Sequence, residues 1–238
     1  MTVLDRLRHR LVVSCQPLPE QPDDPMRDSA VQARVAAAAV LGGAAGIRAN
    51  GPADIAAIRA AVEVPLIGLF KHGTAGCVIT PTAAHAEQVV DAGADIVAVD
   101  ATDRPRPDGR TFADTARAVH GRGALVLADV SSLDEGLAAV DAGADAVATT
   151  LSGYTAGPVP PGPDLDLVTR LAARLTVPVL AEGRYRTAAQ VAGAFRAGAF
   201  AVVAGNAVTS PLWITRHLLD GVARAGMGPD TVDARGAG

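Results

Sequence analysis

DAGADIVAVD (residues 91–100) is one of four related phrases that recur along the chain and together indicate its fold. The others are LGGAAGIRAN (41–50), DAGADAVATT (141–150) and RAGAFAVVAG (196–205). Each is typical of a helix end, a glycine turn and then a strand. Glycine suits the position after a helix C-cap, since a left-handed conformation costs it least. The strands are continuous apolar runs, which predict a parallel sheet covered by helices on both faces.

Four further apolar runs lie between these phrases: LVVSC (11–15), PLIGLF (65–70), ALVLADV (124–130) and VPVLAEG (177–183). About eight βα units in 238 residues predict a single (β/α)₈ TIM barrel, an α/β fold. A doubly wound open sheet is the alternative, but it needs a glycine-rich fingerprint after the first strand, and SCQP (14–17) is not one. We expect the barrel domain to span residues 1–226 and a disordered C-terminal tail to span 227–238.

The bulk composition favours a cytoplasmic protein with a small-molecule partner. A net charge of -4 and 3% aromatic residues predict no nucleic-acid or membrane partner. Cys15 and Cys77 are too few for a disulfide framework, and we identify no signal peptide and no apolar run of membrane-spanning length. The five histidines show no metal-ligand spacing, so we predict no metal site and no cofactor.

In a barrel, the residues that follow the strands meet at one end, where the chemistry of this fold takes place. Here they are Gln16, Arg48, Lys71, Asp100, Asp103, Asp129, Thr150, Ser152, Glu182, Arg184, Gly205 and Asn206. One site therefore gathers an amine, several carboxylates and two guanidinium groups.

Lys71 is the only lysine among 21 basic residues, and it ends an apolar run. The pKa of a lysine falls when the amine is desolvated or lies beside another cation, whereas arginine stays charged. The position predicts a base or a nucleophile, and a stray surface charge is the alternative.

Glu182 directly follows another apolar run, in AEGR (181–184). A carboxylate at the barrel mouth could act as a general acid or base, or it could hold the lysine in place. The structural alternative is a salt bridge to Arg184 or Arg48.

Two loops in the second half of the chain predict a phosphate site. Gly183 and Arg184 follow the seventh strand, and Gly205 and Asn206 follow the eighth. Barrels often bind phosphate at this edge through backbone N–H groups and a short helix. The loop DATDRPRPDG (100–109) has, by contrast, the composition of an exposed turn with solvated charges.

The chain resembles the N-acetylmannosamine-6-phosphate 2-epimerase (N-acylglucosamine-6-phosphate 2-epimerase) family over nearly its whole length. The resemblance rests on SCQPLP, GIRANGP, GLFK with VITPT, DATDRPRPDG, LADVSS, TTLSGYT and AEGRY, in that order. It implies a (β/α)₈ barrel that interconverts the 6-phosphates of N-acetylmannosamine and N-acetylglucosamine in sialic-acid catabolism.

The resemblance also implies roles for individual residues. It places the catalytic groups on Lys71 and Glu182, the sugar contacts on Gln16, Arg48 and Asp129, and the phosphate contacts on Gly183, Arg184, Gly205 and Asn206. We add Thr150 and Ser152 as substrate-binding candidates because both follow the sixth strand. The chain departs from the family pattern in the short loop 72–77 and at Ser210, which stands where the family has arginine.

Epimerisation next to an aldehyde needs a base of near-neutral pKa and fixed donors for the enolate. Lys71 could be that base, with Arg48 and Gln16 as donors. The proton returns either from Glu182 or through a substrate hydroxyl, and a Glu182–Arg184 pair would favour the hydroxyl relay. The residues also leave open a Schiff-base lyase that uses Lys71, and a non-catalytic sugar-phosphate sensor. A homodimer is a further expectation.

Overall fold

The computed structural model describes residues 2–227. Its eight strands are β1 (Arg10–Cys15), β2 (Gly46–Asn50), β3 (Leu66–Leu69), β4 (Ile96–Asp100), β5 (Leu125–Asp129), β6 (Ala146–Ala148), β7 (Val179–Glu182) and β8 (Ala201–Ala204). They form a closed parallel barrel in chain order, with β8 paired to β1. The prediction of a (β/α)₈ barrel is confirmed, and the open sheet is excluded.

Helices follow the strands and form the outer layer. They are α1 (Ser29–Leu41), α2 (Pro52–Ala61), α3 (Ala83–Asp91), α4 (Phe112–His120), α5 (Leu133–Asp141), α6 (Leu165–Arg174), α7 (Ala188–Arg196), α8 (Asn206–Thr209) and α9 (Pro211–Arg224). Two short 3₁₀ helices, Leu4–Leu7 and Pro25–Arg27, lie before β1 and α1. Threonine and serine N-caps start several helices, and α4, α5 and α7 have complete capping boxes.

The recurring phrase has the conformation that its glycine predicted. Gly43, Gly93, Gly143 and Gly198 each follow a helix C-cap with φ between 96° and 102°. In two copies the aspartate after the turn ties neighbouring strands together at the amino ends. Asp95 accepts a bond from the backbone N–H of Leu66 at 2.8 Å, and Asp145 accepts one from Val126 at 2.8 Å. The phrase is therefore a structural unit on the face opposite the strand ends.

The last helix differs from the others because none of its residues, from Pro211 to Arg224, is buried. Leu218 and Leu219 are 64% and 62% exposed. No helix in residues 2–227 is long and apolar enough to cross a membrane. The predicted tail, from 227 onwards, lies outside the described residues except for Met227, so the domain boundary stays a prediction.

Candidate active site

A cavity of about 550 Å³ opens where the strands end. Of the eleven residues that were given catalytic, substrate-binding or phosphate-binding roles, nine line it: Gln16, Arg48, Lys71, Thr150, Glu182, Gly183, Arg184, Gly205 and Asn206. Asp129 and Ser152 do not. The barrel therefore brings together groups that are as far apart in sequence as Gln16 and Asn206.

Lys71 lies two residues beyond β3, at the start of a tight turn back towards the barrel. It forms an isolated antiparallel bridge with Ile79, and its backbone N–H donates to Oδ1 of Asn50 at 2.8 Å. The turn is fixed by the fully buried Thr80, whose hydroxyl donates to the carbonyl of Ala98 at 2.6 Å. The loop after the lysine is thus a rigid support that holds the amine at the cavity wall.

The surroundings of Lys71 combine access to water with desolvation of the amine. The side chain is exposed by accessible surface, because the cavity that it enters is open to water. It is nevertheless enclosed by the barrel mouth, and this desolvation lowers the pKa of the amine, with a further lowering by Arg48. Glu182, Asp129 and Glu20 act in the opposite direction. We take the lowered pKa as the net effect, since desolvation is its largest cause.

Beneath the cavity wall, Arg48 is held by a buried carboxylate. Its Nη2 lies 2.7 Å from Oδ2 of the fully buried Asp129, and Thr150 donates its hydroxyl to Oδ1 at 2.5 Å. Burial raises the pKa of Asp129 to about 6, although Arg48 opposes the rise. Asp129 therefore fixes Arg48 and Thr150 from behind, where we had expected it to contact the sugar.

Glu182 ends β7, across the barrel from the Lys71 turn that follows β3. Its Oε2 is buried and has no hydrogen-bond partner among residues 2–227. The expected pair with Arg184 does not form, because Arg184 donates to the carbonyls of Ser152 and Gly162, each at 2.6 Å. These bonds turn its guanidinium towards the loop after β6. Within residues 2–227, therefore, a carboxylate and an amine without hydrogen-bond partners face the cavity from opposite walls.

Ser152, a predicted substrate-binding residue, also uses its side chain to hold a loop. Its hydroxyl donates to Oδ2 of Asp164 at 2.6 Å, and the residue is 4% exposed. Asp164 is in turn the N-cap of α6. Ser152 therefore secures the loop after β6, and it does not lie on the cavity wall.

The loops after β7 and β8 leave backbone donors at one edge of the cavity. Gly183 and Arg184 both have positive φ, of 112° and 63°, and Gly205 is the N-cap of the short helix α8. The N–H groups of Gly183 and Asn206 donate to no acceptor within residues 2–227. Such unpaired donors beside an arginine are suited to an anion. Ser210 has another role, because it is fully buried and caps α9 through the N–H of Trp213.

Several cavity residues were not identified from the sequence, among them Glu20, Arg104, Arg186 and Trp213. Arg104 comes from the loop 100–109, whose composition indicated solvated charges, yet its partner Asp100 is fully buried. The guanidinium of Arg186 lies over the ring of Trp213, with its carbon 5.2 Å from the ring centroid. In the described part of the chain, no group of three or more potential metal ligands occurs.

Comparisons with known proteins identify a family. The family model described as "Putative N-acetylmannosamine-6-phosphate epimerase" matches residues 32–224. A relative from Caldanaerobacter subterraneus, which bears the corresponding 2-epimerase name, is 42% identical over 92% of this chain and 93% of its own. One from Cutibacterium acnes with the same name is 44% identical over 88% of this chain and 92% of its own.

A solved structure is also similar to this chain in fold and in sequence. The N-acetylmannosamine-6-phosphate 2-epimerase from Clostridium perfringens superimposes with a TM-score of 0.88 at 37% identity, over 92% of this chain and 96% of that one. The relatives and the fold favour an epimerase over the lyase and sensor alternatives. The chain belongs to the N-acetylmannosamine-6-phosphate epimerase family.

Proposed function

We propose that this protein is an isomerase that interconverts N-acetylmannosamine 6-phosphate and N-acetylglucosamine 6-phosphate, in amino-sugar and sialic-acid catabolism. The observation that carries the proposal is a pair of opposed groups, Lys71 and Glu182, on either side of a cavity that Arg48 also lines; neither side chain has a hydrogen-bond partner among residues 2–227. Family membership supports the same reaction.

The reaction begins with the open-chain sugar, whose second carbon is next to the aldehyde and bears the acetamido group. Neutral Lys71 removes the proton from this carbon and becomes an ammonium. The negative charge moves to the aldehyde oxygen, where Arg48 and Gln16 supply donors. Arg48 suits this role because Asp129 and Thr150 fix it before the substrate arrives.

Inversion requires a proton on the opposite face of the same carbon. We propose that Glu182 delivers it as the acid, and the position of β7 across the barrel from β3 supports this role. The reason for preferring a substrate relay was an ion pair with Arg184, and that pair is absent from the described residues. We therefore propose a two-base mechanism in which Lys71 and Glu182 exchange roles with the direction of reaction.

The phosphate is proposed to bind at the edge formed by the loops after β7 and β8. Arg184, with the N–H groups of Gly183, Gly205 and Asn206, supplies the charge and the donors. No metal or other cofactor enters the proposal, because a lysine base and fixed donors suffice for the proton transfers.

A homodimer in the cytoplasm remains a proposal as well. The exposed Leu218, Leu219 and Val222 of α9 support it, because a monomer rarely leaves such a stripe of large apolar side chains uncovered. The two free cysteines, both buried, are compatible with a reducing compartment.

The test is to follow the purified protein with each epimer separately. The two 6-phosphates should converge on one equilibrium mixture, and N-acetylmannosamine without phosphate should react more slowly by orders of magnitude. Arg184→Ala should raise KM for the phosphorylated sugar by on the order of 10- to 100-fold. It should have little effect on the free sugar, which separates phosphate binding from support of the loop after β6. Equal activity on both sugars would show that the phosphate edge is misassigned.

A further inference from the structure

The loop between β4 and α4 is anchored by a fully buried carboxylate, that of Asp100. Its Oδ1 accepts bonds from the backbone N–H and the hydroxyl of Thr102, at 3.1 and 2.7 Å. Its Oδ2 accepts bonds from Nη2 of Arg104 at 2.7 Å and from the N–H of Val78 at 3.3 Å. Four donors on one buried carboxylate hold this loop, and the turn after Lys71, in a fixed geometry.

Arg104 is restrained at two of its three guanidinium nitrogens and lines the cavity. Nη2 binds Asp100, and Nε donates to the hydroxyl of Thr102 at 3.0 Å. Nη1 has no partner among residues 2–227, and the side chain is 29% exposed. Arg106 differs, since its Nη1 and Nη2 donate to the carbonyls of Pro81 and Asp100 and it does not line the cavity. Arg104 is therefore the preorganised donor of this loop.

The position of Arg104 indicates which part of a substrate it meets. In the closed ring, β4 lies four strands from β8, so Arg104 faces the proposed phosphate edge from across the cavity. Val78 and Ile79 line the cavity beside it. The proposed function requires the second carbon of the sugar to come within reach of Lys71, and Lys71 and Arg104 line the same cavity after the neighbouring strands β3 and β4.

We propose that Arg104 recognises the acyl group on the second carbon's nitrogen and thereby selects N-acylated sugars over free amino sugars; this inference rests on the proposed function. Nη1 donates to the amide oxygen, and the methyl group packs against Val78 and Ile79. A donor beside an apolar surface matches both halves of an acetamide. A free amino sugar carries an ammonium at the same place, which the guanidinium repels. Arg104 therefore disfavours the free amino sugar as well as favouring the N-acylated one.

The test measures equilibrium binding of N-acetylglucosamine 6-phosphate and glucosamine 6-phosphate by titration calorimetry. The wild type should prefer the acetylated ligand, and in Arg104→Met this preference should fall by on the order of 10- to 100-fold. Arg104→Lys keeps a cation beside Asp100. It should weaken binding of the acetylated ligand without strengthening binding of the amine. Arg110→Met, on the exposed end of the same loop, should leave both affinities unchanged.

The ratio of the two affinities separates recognition from support of the loop. If either Arg104 variant loses affinity for both ligands by the same factor, Arg104 only holds the loop and the inference is wrong. The proposed function has a different readout, because its failure would appear as no interconversion by the wild type. The affinity ratio is measured whether or not turnover occurs.

Discussion

At the scale of single residues, the surroundings of Lys71, the one lysine of the chain, suit its amine to act as a base. Lys71 lies on a rigid turn held by Asn50 and Thr80, and its amine enters a cavity that lowers its pKa. A lowered pKa makes a larger fraction of the amine neutral at working pH, and only the neutral amine can accept a proton.

The first prediction concerns the identity of this base. Lys71→Ala should abolish epimerisation, and Lys71→Arg should be nearly as inactive, because a guanidinium keeps its proton at working pH. Both variants should melt within a few degrees of the wild type, since the side chain is exposed in the cavity. Substantial turnover by the arginine variant would show that another group is the base.

A second prediction concerns pH. With N-acetylmannosamine 6-phosphate as substrate, kcat/KM should fall towards acid, because Lys71 gains a proton and because Asp129, with a pKa of about 6, then loses its charge and its ion pair with Arg48. The rise from acid should be complete at a lower pH than an ordinary lysine, of pKa 10.5, would allow. The two-base mechanism, which needs a proton on Glu182, adds a fall of kcat/KM towards alkaline pH. A pH–rate profile checks this, and a profile without the fall towards acid would contradict it.

The third prediction separates the two acid–base groups. In Glu182→Gln, inversion should stop because the second proton donor is lost. Lys71 should still exchange the proton on the second carbon with heavy water, so that the starting epimer is recovered deuterated. Proton NMR reports both processes. Simultaneous loss of exchange and inversion would favour a single base with a substrate relay.

At the scale of elements, the recurring glycine turn explains how much of the fold could be predicted. The turn imposes a backbone conformation that glycine alone adopts easily, so glycine recurs in the sequence at four corresponding positions. Loop residues follow no such recurring pattern. The direction of Arg184 depends on the carbonyls of Ser152 and Gly162, which are distant in sequence. The buried Asp100 likewise accepts a bond from Val78, which is 22 residues away.

The fourth prediction tests the turn with matched alanine variants. At Gly143, φ is 102° and the nearest atom to an added Cβ is 3.8 Å away, so Gly143→Ala should cost only the backbone strain, about 1–2 kcal/mol of unfolding free energy. Gly93→Ala should cost more, because its Cβ would lie 2.8 Å from Cγ of Arg59. Both energies come from denaturant unfolding.

The control is Gly221→Ala in α9, where an added Cβ meets nothing within 4 Å. Since alanine favours a helix more than glycine does, this variant should be at least as stable as the wild type. A Gly143→Ala protein as stable as the wild type would refute the structural role assigned to the turn.

At the scale of the whole molecule, the strand count and the closure of the barrel could be predicted, because parallel strands buried on both faces are continuous apolar runs. Closure then placed Gln16, Arg48, Lys71 and Glu182 around one cavity. The layer behind that cavity could not be predicted. Whether a residue such as Asp129 lies on the wall or behind it depends on side-chain packing that no local pattern records.

The most direct test of the proposed mechanism is proton NMR of the purified protein with N-acetylmannosamine 6-phosphate in heavy water. N-acetylglucosamine 6-phosphate should accumulate and its second carbon should carry deuterium, because inversion proceeds through removal of that proton by Lys71. Product formed with the original proton fully retained, or no product at all from a folded protein, would contradict it.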